Sequence, residues 1–357
     1  MLYRSTRGSK ILHTSAEAVL TGLAPDGGLF MPASLDWASF PVKDSMNDGV
    51  RALSARILSF FFDDLHDMEG IVERAYDGRF DTDELTPLAV LSDRYLLELF
   101  HGPTSAFKDV ALSVLPQLLV QAKKETDDPN LTLILTATSG DTGKAALAGF
   151  RDVPGVKIAV FYPDGGVSPV QRLQMATQEG QNVAVAAIRG NFDDAQTGVK
   201  DIFARVSQEG LLDGRHAVLS SANSINIGRL VPQIMYYFKA YKDLLQAGRI
   251  AFGDPVDYTV PTGNFGDILA GYFAKKMGLP VRRLVCASNE NNVLTDFLQT
   301  GVYDRNRPFY RTASPSMDIL VSSNLERLLY LLSDENPGEV AEYMHSLNET
   351  GRYRVSG

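Results

Sequence analysis

"LTLILTATSGDTGKAALAGF", residues 131–150, reads as strand, turn and helix in immediate succession. "LTLILTA" (131–137) is a short apolar run of strand length. "TSGDTG" (138–143) is turn chemistry, and "KAALAGF" (144–150) opens a helix. The rhythm then repeats downstream. "VKIAVFYP" (156–163), "NVAVAAI" (182–188), "HAVLSSA" (216–222), "VDYTVPT" (256–262) and "VRRLVCAS" (281–288) read as strands. Between them lie helical stretches at 168–180, 193–210, 235–241 and 268–278. In "SPVQRLQMATQEG" Ser168 is the expected N-cap, Pro169 sits at the first helical position, Gln171 completes a capping box and Gly180 ends the helix. Asp193 and Gln196 repeat the cap-and-box spacing. Such β–α alternation with short connections predicts an α/β fold, with mainly parallel sheets covered by helices on both faces.

Upstream the character differs. "GLAPDGGLFMP" (22–32) is Gly/Pro turn chemistry around Leu29 and Phe30, and "SARILSFFF" (54–62) is apolar and helical. "DVALSVLPQLLVQA" (109–122) reads as an apolar helix, expected to kink or restart near Pro116. The whole chain has 357 residues, 45% of them hydrophobic and 22% charged, with a net charge of −9. It is long enough for several domains and a sizeable core. The acidic balance disfavours nucleic-acid and anionic-membrane partners. The first twenty or so residues lack the apolar core of a secretory signal, and no run of about 18 apolar residues suggests a membrane span. With a single cysteine, Cys286, no intrachain disulfide can form, which fits a reducing, cytoplasmic setting. The five histidines are scattered without ligand spacing, so no metal site is expected.

Four stretches could carry chemistry. "GNFGD" (263–267) follows a strand and opens a helix, so its glycines and the helix N–H groups suit a phosphate; a tight turn that binds nothing uses the same residues. In "TSGDTG", Ser139, Thr142 and nearby N–H groups could hold a carboxylate, or simply cap the helix. "SSANSINIGRL" (220–230) gathers Asn223, Ser224, Asn226 and Arg229, donors able to grip a phosphate dianion or to cap the next helix. Lys108, in "ELFHGPTSAFKDVAL" (98–112), stands at a helix start, where the dipole disfavours a cation. With apolar neighbours its pKa should fall, which would free the amine for Schiff-base chemistry. The alternative is a lysine that snorkels to water or pairs with Asp109.

Taken in order, "GLAPDGGLFMP", "ELFHGPTSAFKD", "LTATSGDTGKAA", "NSINIGRLVPQ", "VPTGNFGDILAGY" and "ASPSMDILVSSNLERLL" resemble the threonine synthases, pyridoxal-phosphate enzymes of fold type II (tryptophan-synthase β-like). The resemblance runs through nearly the whole chain. It implies an N-terminal threonine-synthase-type domain over 1–90, a large cofactor domain from 91–130 and 221–357, and a smaller α/β subdomain over 131–220. It implies that Lys108 carries pyridoxal 5′-phosphate as a Schiff base. The loop Gly263, Asn264, Phe265, Gly266, Asp267 would cradle the cofactor phosphate, and Asp141 would lie near the ring oxygen. Asp141 stands where related enzymes often have the asparagine of "SGNT". Thr138, Ser139, Gly140 and Thr142 would hold the substrate carboxylate, and Asn223, Ser224, Asn226 and Arg229 its phosphate.

The implied reaction converts O-phospho-L-homoserine and water to L-threonine and phosphate, the last step of threonine biosynthesis, in a cytoplasmic monomer or homodimer. A lyase releasing 2-oxobutyrate, or a truncated non-catalytic relative, would share the same motifs. The resemblance also implies a later segment with a Ser or Thr on the pyridine nitrogen. No such segment is found, and "TASPSMD" (312–318) matches an earlier motif, so neither Thr312 nor Ser314 takes that role. A C-terminally shortened chain is therefore expected, with "HSLNETGRYRVSG" (345–357) not reading as a buried terminal element.

Overall fold

The opening stretch forms what its pattern predicts, a strand Leu131–Ala137 and a helix Asp141–Phe150. The helix starts three residues earlier than the apolar run suggests, because the turn itself supplies its first residues. The architecture comes from a computed structural model that describes residues 1–138, 140–190 and 192–355. Two units emerge from the contacts. One gathers Ser15–Gly22 and Val50–Pro232; the other gathers Met1–Thr14, Leu23–Gly49 and Gln233–Gly357. This grouping runs differently from segments taken in chain order: the N-terminal strands go with one unit and the N-terminal helices with the other.

The unit centred on 50–232 holds a four-stranded parallel sheet. Its order is Val183–Ile188, Val156–Pro163, Leu131–Ala137, Ala217–Ser220. Along the Leu131–Ala137 strand, Thr132, Ile134 and Thr136 are buried and their neighbours half-buried, the period-2 signature of a strand covered unequally on its two faces. Ser168 and Gln171 make the expected reciprocal cap: Gln171 N donates to Ser168 Oγ at 3.2 Å and Ser168 N to Gln171 Oε1 at 3.2 Å. That helix, Pro169–Ala176, closes at Thr177 rather than running to Gly180. The next, Phe192–Glu209, begins before Asp193, which therefore lies inside its first turn instead of capping it.

Pro116 does not break its helix. Asp109–Glu125 is continuous over 17 residues, and Val114, Leu115, Pro116 and Leu118 are all buried. Pro116 lacks the N–H that would bond the Leu112 carbonyl one turn back. Gly149 of the Asp141–Phe150 helix backs onto that same carbonyl, so closely that a Cβ there would lie 2.0 Å from it. The neighbouring helix covers the orphaned oxygen, and the Asp109–Glu125 helix does not restart at Pro116.

The other unit combines a small antiparallel sheet (His13–Thr14, Leu2–Ser5, Phe30–Pro32) with a parallel pair, Val256–Pro261 and Val281–Ala287. Its main helices are Ile234–Gln246, Gly266–Lys276, Leu325–Leu332 and Pro337–Thr350. Near the end of the described chain a short strand buries its central residue, Tyr353, which the sequence did not suggest. Arg352–Arg354 pairs antiparallel with Val302–Asp304. Tyr353 stacks on Tyr303, with ring centroids 5.2 Å apart, and on Tyr343 at 5.3 Å. Alternation along only three residues was too short to mark a strand; the aromatic at its centre supplies the burial.

Candidate active site

The bend before Lys108 is drawn shut by the residue after it. The Asp109 carboxylate accepts from Thr104 N at 2.8 Å, Thr104 Oγ1 at 2.5 Å and Ala106 N at 3.3 Å. Asp109 is thus committed to the bend, and Lys108 does not reach water either, being 8% exposed. Its Nζ lies 4.6 Å from the Phe107 ring centroid and 3.8 Å from Asp141 Oδ2. Burial pulls the Lys108 pKa from 10.5 down to about 8; Asp141 opposes the shift, while Arg229 and Lys144 add to it. Desolvation, more than the helix dipole invoked from sequence, is the leading cause.

The turn after the Leu131–Ala137 strand is knotted by Thr138, whose Oγ1 accepts from Gly140 N at 3.0 Å and Gly143 N at 2.9 Å. Gly140 is obligatory: its φ is +137°, and a Cβ would fall 2.2 Å from Gln171 Oε1. The closeness has a use, since Gln171 Nε2 donates to Asp141 Oδ1 at 2.7 Å. Asp141 opens the helix, where its charge suits the dipole, and Thr142 beside it is half-buried. Ser139 lies outside the described residues.

In the loop 223–229, Asn226 is fully buried and used internally. Its Oδ1 accepts from Gly228 N at 2.9 Å as the helix cap, and its Nδ2 donates to Val19 O at 2.9 Å. Arg229 is 3% exposed, with Nη1 donating to Ala222 O at 2.5 Å. Asn223 and Ser224 remain half-buried. The geometry therefore gathers Lys108, Asp141 and Arg229, with Asn226 shaping the loop that carries Arg229.

The Gly263–Asp267 loop belongs to the other unit. Phe265 takes the left-handed conformation (φ +62°) as the cap of Gly266–Lys276. Its carbonyls are tied back: Ser322 Oγ donates to Gly263 O at 2.7 Å, and Asn324 N and Nδ2 donate to Asn264 O at 3.0 and 3.1 Å. Because each peptide's C=O and N–H point oppositely, the Asn264 and Phe265 N–H groups face away from these braces. Tyr237 Oη donates to Asp267 O at 2.8 Å and Oδ1 at 3.1 Å. Desolvation pushes the Asp267 carboxyl up to about 7, so it carries less charge at a helix start suited to an anion.

Sequence reasoning missed several members of these clusters. Lys144 is buried, donates to Thr104 O at 2.8 Å and lies 3.5 Å from Asp141 Oδ1. Its i,i+3 spacing from Asp141 was visible in "SGDTGK", but nothing local said it turns inward. Gln171 was read only as a cap. Ser322 and Asn324 act across about 60 residues of chain, which no local pattern reveals. No group of three metal-ligating side chains occurs among the described residues, and none of their helices is long and apolar enough to cross a membrane.

Comparison with known proteins adds an independent line. The family model described as pyridoxal-phosphate dependent enzyme matches residues 86–350, and that described as threonine synthase N terminus matches residues 2–76. The threonine synthase of Eremothecium gossypii is 42% identical over 391 aligned positions, covering 99% of this chain and 72% of that protein. Human threonine synthase-like 1 is 40% identical over 95% of this chain but only 47% of its own length, so the chain spans about half of that relative. The crystal structure of PLP-bound threonine synthase from Brucella melitensis superposes with a TM-score of 0.89 at 39% identity, covering 100% of this chain and 75% of that one.

Proposed function

The chain belongs to the threonine synthase family of pyridoxal-phosphate dependent enzymes, and from that membership we propose that it converts O-phospho-L-homoserine and water to L-threonine and phosphate. Its cofactor in this reading is pyridoxal 5′-phosphate, and it works in the cytoplasm as a monomer or homodimer. The observation that carries the proposal is Lys108, a buried lysine whose amine titrates near 8 beside Asp141 and in the field of Arg229. At pH 7.5 roughly a quarter of such amines are neutral, against about one in a thousand at the ordinary lysine value.

The residues present suit the cofactor. Lys108 Nζ would hold its aldehyde carbon, and Asp141 would stand by the ring oxygen. The N–H groups of Asn264 and Phe265, freed by the braced carbonyls, would take its phosphate along with Gly263 and Gly266. When bound, this group supplies an electron sink that acidifies the substrate carbons next to the amine. The turn after the Leu131–Ala137 strand would hold the substrate carboxylate through Thr142 and the helix N–H groups. Arg229, Asn223 and Ser224 hold its phosphate, and Asn226 sets their loop. Lys108 Nζ would also take the α-proton of the substrate, a role suited to a pKa near the working pH.

Product analysis tests the proposal. Incubated with O-phospho-L-homoserine, the cofactor-loaded protein should release threonine and phosphate in equal amounts. Release of 2-oxobutyrate and phosphate without threonine would make it a lyase instead, and absence of any turnover would leave only a binding protein.

A further inference from the structure

Among the described residues, Lys144 is the one buried cation of the Lys108 cluster that the reaction above does not use. It sits one turn into the Asp141–Phe150 helix and does two things at once. Its Nζ donates to the Thr104 carbonyl at 2.8 Å, tying that helix to the bend that bears Lys108. The same atom lies 3.5 Å from Asp141 Oδ1, while Lys108 Nζ lies 3.8 Å from Oδ2 of the same carboxylate. Asp141 is further held by Gln171 Nε2 at 2.7 Å on Oδ1. One carboxylate is therefore shared between two ammonium groups, and the oxygen it turns to Lys144 already has a second donor.

We propose that Lys144 is a positioning residue that occupies one side of Asp141 and so keeps Lys108 from being locked into a closed ion pair with it. The inference rests on the reading of Lys108 as the cofactor lysine. A neutral lysine can join an aldehyde carbon only with its lone pair free, releasing one water as the C–N bond forms; a lysine held as an ammonium by an undivided carboxylate cannot. The charged groups acting on Lys108 are Asp141 and Lys144 from the Asp141–Phe150 helix, Arg229 from Ile227–Leu230, and Asp109 from its own helix. Asp109 is committed to Thr104 and Ala106, and Arg229 is held by Ala222. Lys144 is thus the member whose removal most changes what Asp141 offers to Lys108. Loss of this cation removes a repulsion and undivides an attraction, and both raise the protonated fraction of Lys108.

The test is the pH profile of cofactor attachment. The 357-residue chain, stripped of cofactor, is mixed with pyridoxal phosphate, and attachment is followed by visible absorbance across pH 6.5–10. The site is located by borohydride reduction and peptide mass. For Lys144→Met the midpoint should move to higher pH, and attachment at pH 7.5 should slow by roughly three- to tenfold; Lys144→Arg, which keeps the charge, should stay near wild type. Lys144→Gln can still donate to Thr104, so it should fold even if the Met variant does not, and it should show the same upward shift. A merely structural role would lower the fraction of competent protein without moving the midpoint. An unmoved midpoint in Lys144→Gln, or a shift in Lys144→Arg as large as in Lys144→Gln, overturns the inference while the label on Lys108 stands. A label on another lysine overturns the Lys108 reading and this inference with it.

Discussion

Lys108 was conspicuous in the sequence as a cation at the wrong end of a helix, but its burial was not. What excludes water from it comes from residues far along the chain, and what brings Asp141 within 3.8 Å is the packing of two helices. The residue-scale consequence concerns stability. The folded pKa of about 8 lies below the 10.5 of an ordinary lysine. Between those values the unfolded chain binds more protons, so burial of Lys108 costs stability, fully below pH 8 and progressively less up to pH 10.5. The cofactor-free Lys108→Met variant should therefore be more stable than wild type at pH 7, by up to about 3 kcal/mol, with the gain shrinking as pH rises to 10. Denaturant unfolding at pH 7 and pH 10 checks this; an equal gain at both would assign the effect to packing. The substrate-binding set was legible in part. Asn223 and Ser224 are half-buried on the loop that carries Arg229, whereas the buried amide of Asn226 goes to Gly228 and Val19.

At the scale of elements, local rules served where the forces are local. The Ser168–Gln171 cap was readable because both partners lie within one turn. The continuity of the helix through Pro116 was not readable because its support is not local: the carbonyl it orphans is covered by Gly149 from another helix. Gly149→Ala should force the two helices apart and destabilise the protein by about 1–3 kcal/mol, seen as a lower denaturant midpoint. A neutral outcome would mean that the helices separate without cost and that Pro116 is accommodated in some other way. The turn at Gly140 makes a parallel case nearer the chemistry. Gly140→Ala meets both a positive φ and the Gln171 side chain, so it should displace Gln171 from Asp141 and cut activity more than it cuts stability. Equal losses in the two would remove Gln171 from the account.

Across the whole molecule, the strand–helix alternation announced the α/β class, but not the sharing of the N-terminal stretch between two units, which depends on contacts between residues hundreds apart. Arg7 and Thr6 meet Glu326, for example, with Arg7 Nη2 2.8 Å from Oε2. The C-terminal strand was missed for the same reason, since Tyr353 gains its burial from Tyr303 and Tyr343. Tyr353→Ala should cost about 3–5 kcal/mol, measured by thermal or denaturant unfolding; a change within about 0.5 kcal/mol, as for an exposed site, would show that this strand is not part of the core. All three scales meet at Lys108, buried with its pKa lowered to about 8 and proposed above as the cofactor lysine. That assignment is tested most directly by reducing the cofactor-loaded protein with borohydride and locating the label by peptide mass. The label should fall on Lys108 alone. Label on Lys144 or any other lysine, with Lys108 unmodified, would contradict the account.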